Sequence, residues 1–501
     1  MKKGEMTVTN KSLYVRANYE VNQTPQFKVL SDDQCEEIYL GALEALERTG
    51  ADVYSKEALE IFAKGGCWVD GNRVRFPSRL VEWAVRTAPS RIVISDRNGK
   101  RCMFLEGDNI YYGPGPTNNF VLDPFTGERR RPKKSDNARA ALVADALPNI
   151  DYAMDHGTPM DVTPTLADVH AFEAMLTNTT KPIIHWGFGV DQYQDILDMA
   201  AAVRGGLSEL QKNPFIILYS ESSPPLRHSD EAIDKAIFAA KNNIPCIYTP
   251  CTFAGGVAPA TMAGSILISV ADCLVGLVAG QLIREGSPFI MGGLISTMDM
   301  SSSILAYGAP ELSLLSAGLA NVCRWMGIPS FSTAGCTDSK VIDAQMGLEA
   351  AFSILISGLS GANIIHDCSY MEYGATSSLE LMVMDDEIIG MVKRILKGIP
   401  VNDETMAVDV IDRVGPGGHH LGDEHTMKHF RSEFWWPTLM NRFRYDEWKA
   451  NGGKTMAQRV KEKTQNIINN HRPEPLPEKT LAEIKAIVER AESREAARKR
   501  K

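Results

Sequence analysis

Short apolar runs alternate with longer stretches of helical periodicity through most of this chain. Seven runs have the length of buried strands, and each is followed by a stretch long enough for one helix. The runs lie at residues 150–154, 182–186, 215–219, 245–249, 288–291, 330–333 and 363–365, and the helical stretches at 165–178, 190–203, 229–241, 259–284, 309–326, 341–359 and 378–397. With residues 408–414 as an eighth strand, this α/β pattern predicts a closed (β/α)8 barrel, and an open doubly wound sheet is the alternative.

Other periodicities precede and follow this repeat. Ser31 and Gln34 form a capping-box signature that opens a helix ending near Arg48, whereas residues 1–29 have no regular pattern and read as an irregular arm. Between residues 91 and 134 short apolar runs are separated by turn signals, which predicts β-hairpins. We therefore predict an N-terminal α+β region at 1–134, the barrel at 135–415 and a C-terminal helical extension at 416–501.

Reactive and polar side chains follow two neighbouring predicted strands, 330–333 and 363–365. In a parallel barrel the carboxyl ends of the strands carry the chemistry, so these side chains would face one cavity. The alternative is that polar residues end strands simply because loops are solvated. The residues concerned are Cys336, Asp338, His366, Asp367, Tyr370 and Glu372.

Several aromatic residues also lie at predicted strand ends or loops. Aromatic faces attract a quaternary ammonium, which cannot donate a hydrogen bond, and nearby carboxylates add long-range attraction. Ordinary core packing is the alternative and would account for at least half of the set. The aromatic residues are Tyr111, Tyr112, Trp186, Phe188, Tyr248, Tyr370 and Tyr373.

Charge and cysteine content narrow the class of protein. With 53 Lys and Arg against 62 Asp and Glu, the net charge of −9 argues against nucleic acid or an anionic membrane as a partner. The nine cysteines include no C-x-x-C pair, which favours a reducing cytoplasm over a disulfide framework. The N-terminus lacks the apolar core of a signal peptide. Residues 261–283 are almost continuously apolar, but Asp272 and Gln281 favour a buried helix over a membrane span.

Two His-containing pairs have spacings that could bind a metal ion. His366 and Cys368 form a possible zinc half-site, and His425 and His429 are four residues apart, but neither pair has an evident third ligand in the sequence. Cys336 could complete the first pair only if the fold brought it close. We therefore predict no metal bound by this chain.

Several linked motifs resemble the trimethylamine methyltransferase family, in particular its members without pyrrolysine, such as glycine betaine:corrinoid-protein methyltransferases. The motifs are APSR at 88–91, YGPGPT at 112–117, APELSLLSA at 309–317, AGCTDSKVIDAQ at 334–345, LSGANIIHDCSYMEYG at 359–374 and GIPVNDET at 398–405. The resemblance spans roughly residues 31–470 and is more specific to the family than to a substrate.

The resemblance implies a (β/α)8 barrel that transfers a methyl group from a methylated amine to the Co(I) corrinoid (cobalamin) of a separate partner protein. Members with pyrrolysine carry it close to residues 334–338, where this chain has ordinary residues. A quaternary amine such as glycine betaine would not need it, because its leaving group is already a neutral amine. The resemblance also implies a chain that binds no cofactor tightly, and a barrel of this size commonly self-associates.

On this reading the side chains would have distinct roles. Tyr111, Tyr112 and Tyr370 would surround the trimethylammonium group, with Phe188 and Tyr248 as further lining residues. Asp338 would contribute to the electrostatic field around the substrate. The catalytic residues would be His366, which would hydrogen-bond or orient the substrate carboxylate, together with Asp367 and Glu372. A zinc-dependent methyltransferase acting on a thiol and a non-catalytic betaine-binding protein are the alternatives.

Overall fold

The computed structural model describes residues 25–498, so the predicted arm at 1–29 lies almost entirely outside the described residues. The capping box is confirmed: the Ser31 hydroxyl accepts the Gln34 N–H at 3.2 Å, and the Gln34 side chain accepts the Ser31 N–H at 3.0 Å. The N-terminal α+β region consists of α1 (Asp32–Arg48), β1 (Ala51–Val53), α2 (Lys56–Lys64), β2 (Trp68–Asp70), β3 (Arg73–Arg75), α3 (Ser78–Thr87), β4 (Ile92–Ser95) and β5 (Arg101–Leu105).

Strands and helices then alternate to the end of the barrel. In chain order they are β6 (Tyr111–Pro114), β7 (Phe120–Leu122), β8 (Arg129–Arg130), α4 (Lys134–Ala146), α5 (Ala167–Asn178), β9 (Ile183–Trp186), α6 (Val190–Arg204), α7 (Leu207–Lys212), β10 (Ile216–Ser222), β11 (Arg227–His228), α8 (Asp230–Asn242), β12 (Cys246–Ala254), α9 (Met262–Ile283), β13 (Phe289–Gly292), β14 (Leu294–Asp299), β15 (Ile304–Ala306), α10 (Pro310–Trp325), β16 (Ser330–Thr333), α11 (Ala344–Ser360), β17 (Ile364–Cys368), β18 (Tyr370–Met371), β19 (Thr376–Ser378) and α12 (Leu379–Leu396).

The parallel sheet closes into an eight-membered barrel. Parallel pairing joins β9, β10, β12, β13, β16, β17 and β6 in that order. Residues 151–154 fill the remaining gap, since the Asp151 N–H donates to the Tyr112 carbonyl and Ala153 forms a parallel bridge with Ile183. The predicted (β/α)8 barrel is therefore confirmed.

One predicted strand is wrong. Residues 408–414 form helix rather than strand, and the missing strand is β6, which comes first in the barrel. A boundary at residue 135 therefore separates the first strand from the other seven.

Apolar side chains fill the lower half of the barrel. Ile184, Ile217, Ile247 and Ile290 point inward, and the β4–β5 hairpin covers the amino-terminal end with Met103 and other apolar residues. This core closes one end, so a ligand can enter only from the carboxyl ends of the strands, where active sites of this fold lie.

The C-terminal extension is helical, as predicted. The predicted extension at 416–501 comprises α15 (Glu424–Glu433), α16 (Tyr445–Ala450), α17 (Met456–Asn470) and α18 (Glu478–Arg498), and α13 (Asp403–Met406) and α14 (Val408–Val414) precede it. The last two pack on the barrel, α17 against α12 and α4, and α18 against α6. Within residues 25–498 one helix, α9, is long and apolar enough to cross a membrane, and most of it is buried in the fold.

Candidate active site inside the barrel

A group of tyrosines and carboxyl groups occupies the upper half of the barrel interior. Tyr219 and Glu221 are two residues apart on β10, so both point into the barrel. Cys251 points inward from β12 in the same way. Tyr307 comes from the loop before α10, and its ring centroid lies 6.3 Å from that of Tyr370. Tyr219, Tyr307 and Tyr370 are buried, whereas Glu221 and Cys251 are partly exposed at the open end.

Asp367 lies at the centre of this group. The pairing of β17 with β6 shifts register between Ile365 and Cys368, and Asp367 has a φ of 74°. This irregularity directs Asp367 to the same side as His366, although neighbours in a regular strand face opposite ways. Gly115 permits the arrangement, because a Cβ there would overlap the Asp367 carboxyl group and the Tyr370 ring.

The Asp367 carboxyl group is only 1% exposed, and neither oxygen accepts a hydrogen bond from a described residue. Burial and, after it, the Glu221 carboxylate raise the pKa of Asp367 well above its ordinary value, and the Tyr307 hydroxyl offsets part of this rise. Burial likewise raises the pKa of Glu221. A bound cation would stabilise the ionised form of a buried carboxyl group whose ionisation a second carboxylate opposes.

His366 is neutral and has a fixed tautomer. Its Nδ1–H donates to the Ser332 carbonyl at 2.7 Å, so Nε2 carries the lone pair, 3.3 Å from Oδ1 of Asp367. Burial lowers the pKa of His366 to about 4. In this state Nε2 is a hydrogen-bond acceptor, and the role of His366 toward a substrate carboxylate stays a prediction.

A second buried His and Asp pair repeats this arrangement. The Nε2–H of His185 donates to the Asp168 carbonyl at 3.0 Å, and Nδ1 lies 3.7 Å from Oδ1 of Asp155. The other Asp155 oxygen accepts the Thr117 N–H at 2.8 Å. Burial raises the pKa of Asp155 to about 7, and its charge acts on Tyr370. Asp155 is therefore a third carboxyl group close to the tyrosine group.

Three predicted cage residues lie elsewhere. Tyr112 and Tyr248 point outward between the sheet and the helices, where the Tyr112 hydroxyl donates to the Ile354 carbonyl at 2.9 Å and the Tyr248 hydroxyl lies 2.7 Å from Nδ1 of His228. Tyr111 points inward, but it belongs to the lower core, where its hydroxyl accepts the Phe104 N–H. The structure therefore does not bring these three tyrosines together with Tyr370.

Two predicted carboxylates have structural partners. Glu372 forms an ion pair with Arg129 at 2.7 Å and accepts the Thr376 hydroxyl at 2.6 Å, outside the tyrosine group. Asp338 accepts the backbone N–H groups of Tyr307 and Gly308 at 3.0 and 2.8 Å. Asp338 therefore positions Tyr307 and does not line the interior.

Phe188 and Tyr370 lie at the open end of the barrel. The Phe188 ring packs edge-on against Trp186 with centroids 5.1 Å apart, and the Phe188 N–H donates to Asp168 at 2.7 Å. The Tyr370 hydroxyl donates to the Pro116 carbonyl, which turns its ring toward Tyr307. Both residues remain predicted lining residues.

The cysteine half-site does not assemble. His366 faces the interior, whereas Cys368 packs in the outer core with its thiol near the Ala334 carbonyl. Burial raises the pKa of Cys336 and of Cys368 well above the ordinary value, so both thiols stay protonated at neutral pH.

A different His group assembles in the C-terminal extension. Among residues 25–498, Glu404, His425 and His429 are the one group of His, Cys and acidic side chains close enough to share an ion. Its members already bond to each other, with Nε2 of His429 at 2.9 Å from Glu404, and Lys428 pairs with the same carboxylate. The sequence had suggested no third partner for the two histidines.

The predicted site did not include Tyr219, Glu221, Tyr307 and Asp155. Tyr219 and Glu221 carried a signal, since residues two apart on a strand share a face. No sequence pattern pointed to Tyr307, because it lies in a loop outside the regular strands.

The closed barrel carries aromatic rings and buried carboxyl groups at its open end, where the active sites of barrel enzymes lie. The fold is that of the monomethylamine methyltransferase MtmB of Methanosarcina barkeri, whose crystal structure aligns with a TM-score of 0.53 at 11% identity, covering 89% of this chain and 88% of that one.

The trimethylamine methyltransferase (MTTB) family matches residues 2–496. Trimethylamine methyltransferase MttB of Desulfitobacterium hafniense (strain DSM 10664 / DCB-2) is 35% identical over 467 residues, which cover 92% of this chain and 93% of that protein. Glycine betaine methyltransferase of Desulfitobacterium hafniense (strain Y51) is 31% identical, covering 93% of this chain and 97% of that protein. The chain belongs to the trimethylamine methyltransferase family and is a methyltransferase.

Proposed function

We propose that this methyltransferase demethylates a quaternary amine of the glycine betaine type and passes the methyl group to the Co(I) corrinoid of a separate protein. The observation that supports it is the buried Asp367 carboxyl group, which pairs with no Lys or Arg among the described residues and is surrounded by Tyr219, Tyr307 and Tyr370. A quaternary ammonium supplies positive charge and no donor, which suits aromatic faces and a carboxylate. One relative is named a glycine betaine methyltransferase, which is consistent with this substrate class.

In the proposed reaction one C–N bond breaks and its electron pair stays on nitrogen, which leaves a neutral tertiary amine. The methyl group bonds to cobalt with the electron pair of Co(I), which becomes Co(III), and no proton is transferred. The chain itself would need to orient the ammonium and exclude water. The lower core closes the far end, so the methyl acceptor would approach at the open end near Glu221 and Cys251.

Charge loss would help the product leave. The substrate is held by cation–π attraction and by Asp367 and Glu221, and the neutral amine loses both contributions. His366 would act as a positioning residue for the protonated Asp367 of the empty site, with Nε2 3.3 Å from the carboxyl group. Co(I) requires a reducing compartment, and we accordingly propose a cytoplasmic location.

The test is a spectral assay of Co(I) conversion to methyl-Co(III), with free cob(I)alamin and a panel of methylated amines. Conversion with one quaternary amine and none with trimethylamine supports the proposal. Conversion with trimethylamine alone would refute the substrate class but keep the reaction. Binding of a betaine without any conversion would indicate a binding protein. Stoichiometric zinc with chelator-sensitive transfer to a thiol would indicate the zinc enzyme.

A further inference from the structure

Two histidines and a glutamate meet in the C-terminal part of the chain, outside the barrel. His425 and His429 lie one turn apart on α15, so both rings leave the same face of that helix, and their centroids are 4.3 Å apart. Glu404 comes from the short helix α13 and supplies the third ligand that the sequence spacing lacks. One nitrogen or carboxylate oxygen from each residue lies within 4.8 Å of those of the other two.

This set of donor atoms is one that divalent transition metals bind. Imidazole nitrogen and carboxylate oxygen bind Zn²⁺ at about 2.0–2.2 Å, which places the ligand atoms roughly 3.3–3.6 Å apart around a tetrahedral ion. Nε2 of His429 lies 2.9 Å from Oε1 of Glu404, slightly closer than that spacing, and the ligand atom of His425 lies within 4.8 Å of both. Small side-chain rotations would therefore bring all three donors onto one ion. A fourth position would remain for water.

The charge on Glu404 favours a cation. Hydrogen bonds from Lys428 and then from His429 lower the pKa of Glu404 to about 2, so its carboxylate is ionised at neutral pH. Lys428 bonds to Oε1, the same oxygen that faces His429, and it therefore competes with a metal ion for this position. The Lys428 side chain is 66% exposed, and exposed ion pairs contribute little stability, so a metal ion can displace it into solvent.

Helix caps fix the two helices that carry the ligands. Asp423 caps α15, because its carboxylate accepts the His425 N–H at 2.8 Å, and the same carboxylate pairs with Arg413 at 2.7 Å. Asn402 caps α13 through two reciprocal hydrogen bonds with Thr405, at 3.0 and 2.9 Å. The backbone at each ligand is thus held independently of a bound ion, which is the support that a metal site requires.

The part of the chain around these ligands has almost no core. Among residues 398–445 Leu439 alone is buried, and α13, α14 and α15 have no buried side chain. Small units that cannot build a core are commonly cross-linked by a metal ion or by disulfides. Residues 398–445 contain no cysteine, so a disulfide cannot serve here.

We propose that Glu404, His425 and His429 bind one divalent transition-metal ion of the zinc class, and that this ion cross-links α13 to α15. The ion adds a contact where apolar packing is lacking. It exchanges the exposed bond between Lys428 and Glu404 for metal–ligand bonds within the segment.

The location of this site indicates a structural role. Lys393, near the end of α12, bonds to Asp151 at the start of the barrel segment 151–154, so α12 ends at the amino-terminal end of the strands. The neighbouring Arg394 donates to the Glu433 carbonyl at the end of α15, which ties α15 to the same end. The tyrosine group around Asp367 lies at the opposite, open end. The ion would therefore take no part in methyl transfer.

The first test is isothermal titration calorimetry of the full chain with ZnCl₂, after removal of metal with a chelator and in a non-thiol reductant. Wild type should bind one equivalent of zinc per 55.1 kDa chain. His425→Ala and His429→Gln should each weaken binding by about 100-fold or more, because each removes a ligand. Lys428→Ala should tighten binding by roughly 2- to 5-fold, because it removes the competing ammonium.

The matched control removes two other imidazoles from the preceding loop. His419 and His420 are exposed, and the pair His419→Gln with His420→Gln should keep the wild-type affinity. Loss of zinc binding in this control, with binding retained in His425→Ala and His429→Gln, would overturn the proposal. Wild type that binds no zinc would overturn it too.

X-ray absorption at the zinc edge on unmodified protein does not depend on the folding of any variant. The ion should have imidazole nitrogen and oxygen ligands at about 2.0–2.2 Å and no sulfur. Sulfur at about 2.3 Å would assign the ion to cysteines and overturn the proposal.

Hydrogen exchange tests the structural role. Zinc at 100 times its dissociation constant should slow amide exchange in α13 and α15 by up to about 100-fold and leave the barrel strands unchanged. Unchanged exchange in both helices would refute the cross-link. Chelation should leave methyl transfer intact, which distinguishes this site from that of a zinc-dependent methyltransferase, and none of these results depends on the proposed substrate.

Discussion

Substitution of Asp367 by Asn should reduce the pH dependence of quaternary amine binding by the release of one proton. In the empty site burial and Glu221 raise the pKa of Asp367, so the group holds a proton at a pH where an exposed Asp is ionised. A bound cation favours the ionised form, and binding must therefore release a proton. The affinity of the wild type should rise with pH and level off above the pKa of the empty site.

The size of this pH effect follows from the coupling between amine binding and proton release. One released proton gives up to a tenfold gain in affinity per pH unit, or about 1.4 kcal/mol. The charged and titratable groups around Asp367 are Glu221 and Tyr219 on β10, Cys251 on β12, His366 on β17, and Tyr307, Cys336 and Tyr370 in the loops. Burial raises the pKa of each of these thiols and phenols, and His366 stays neutral above about pH 4. Glu221, and Asp155 with a pKa of about 7, are the other carboxyl groups near this cluster that could add to the slope.

Isothermal titration calorimetry with glycine betaine from pH 6.0 to 8.5, in buffers of different ionisation enthalpy, gives both the affinity and the number of protons released. Glu372→Gln is the matched control, because its carboxylate pairs with Arg129 outside the site, and it should keep the wild-type slope. An affinity that falls with rising pH would refute the reasoning. So would a slope that Asp367→Asn leaves intact.

Three further predictions concern single residues. Tyr307→Ala should raise the KM for the quaternary amine by roughly 2- to 30-fold through loss of about 0.5–2 kcal/mol of cation–π attraction, and an unchanged KM in steady-state assays would contradict this. Tyr112→Phe should lower the free energy of unfolding by about 0.5–1.5 kcal/mol in urea titrations, through loss of the bond to the Ile354 carbonyl, and leave kcat unchanged. Burial raises the pKa of Asp272 to about 8, so the folded state binds more protons than the unfolded state between about pH 4 and 8 and stability falls as pH rises. Asp272→Asn should therefore gain stability relative to wild type over that window, by up to about 1.4 kcal/mol per pH unit, and an equal gain at pH 5 and pH 8 would contradict this.

Periodicity predicts most of the barrel but misses its first strand. In β6, Gly113 and Pro114 follow Tyr111 and Tyr112, and these two residue types mark turns more often than strand interiors. Residues 408–414 alternate as a strand would, yet they form helix α14.

The site is harder to predict, because it depends on which way each side chain points. Tyr111 and Tyr112 are neighbours in one strand and cannot both face the interior, so parity alone argues against a cage containing both. The same alternation predicts that Tyr219 and Glu221, two residues apart on β10, face the interior together. Asp367 breaks the rule through its backbone irregularity, which sequence does not reveal. Tyr307 depends on a loop held by Asp338, a contact between distant segments.

The most direct test of the central claim follows the methyl group itself. Glycine betaine with deuterated methyl groups is incubated with the enzyme and cob(I)alamin, and both products are analysed by mass spectrometry. We expect one labelled methylcobalamin for each tertiary amine formed, and a much lower rate of methyl transfer in Asp367→Asn than in Glu372→Gln. A tertiary amine formed without labelled methylcobalamin, or label recovered on a thiol, would contradict it.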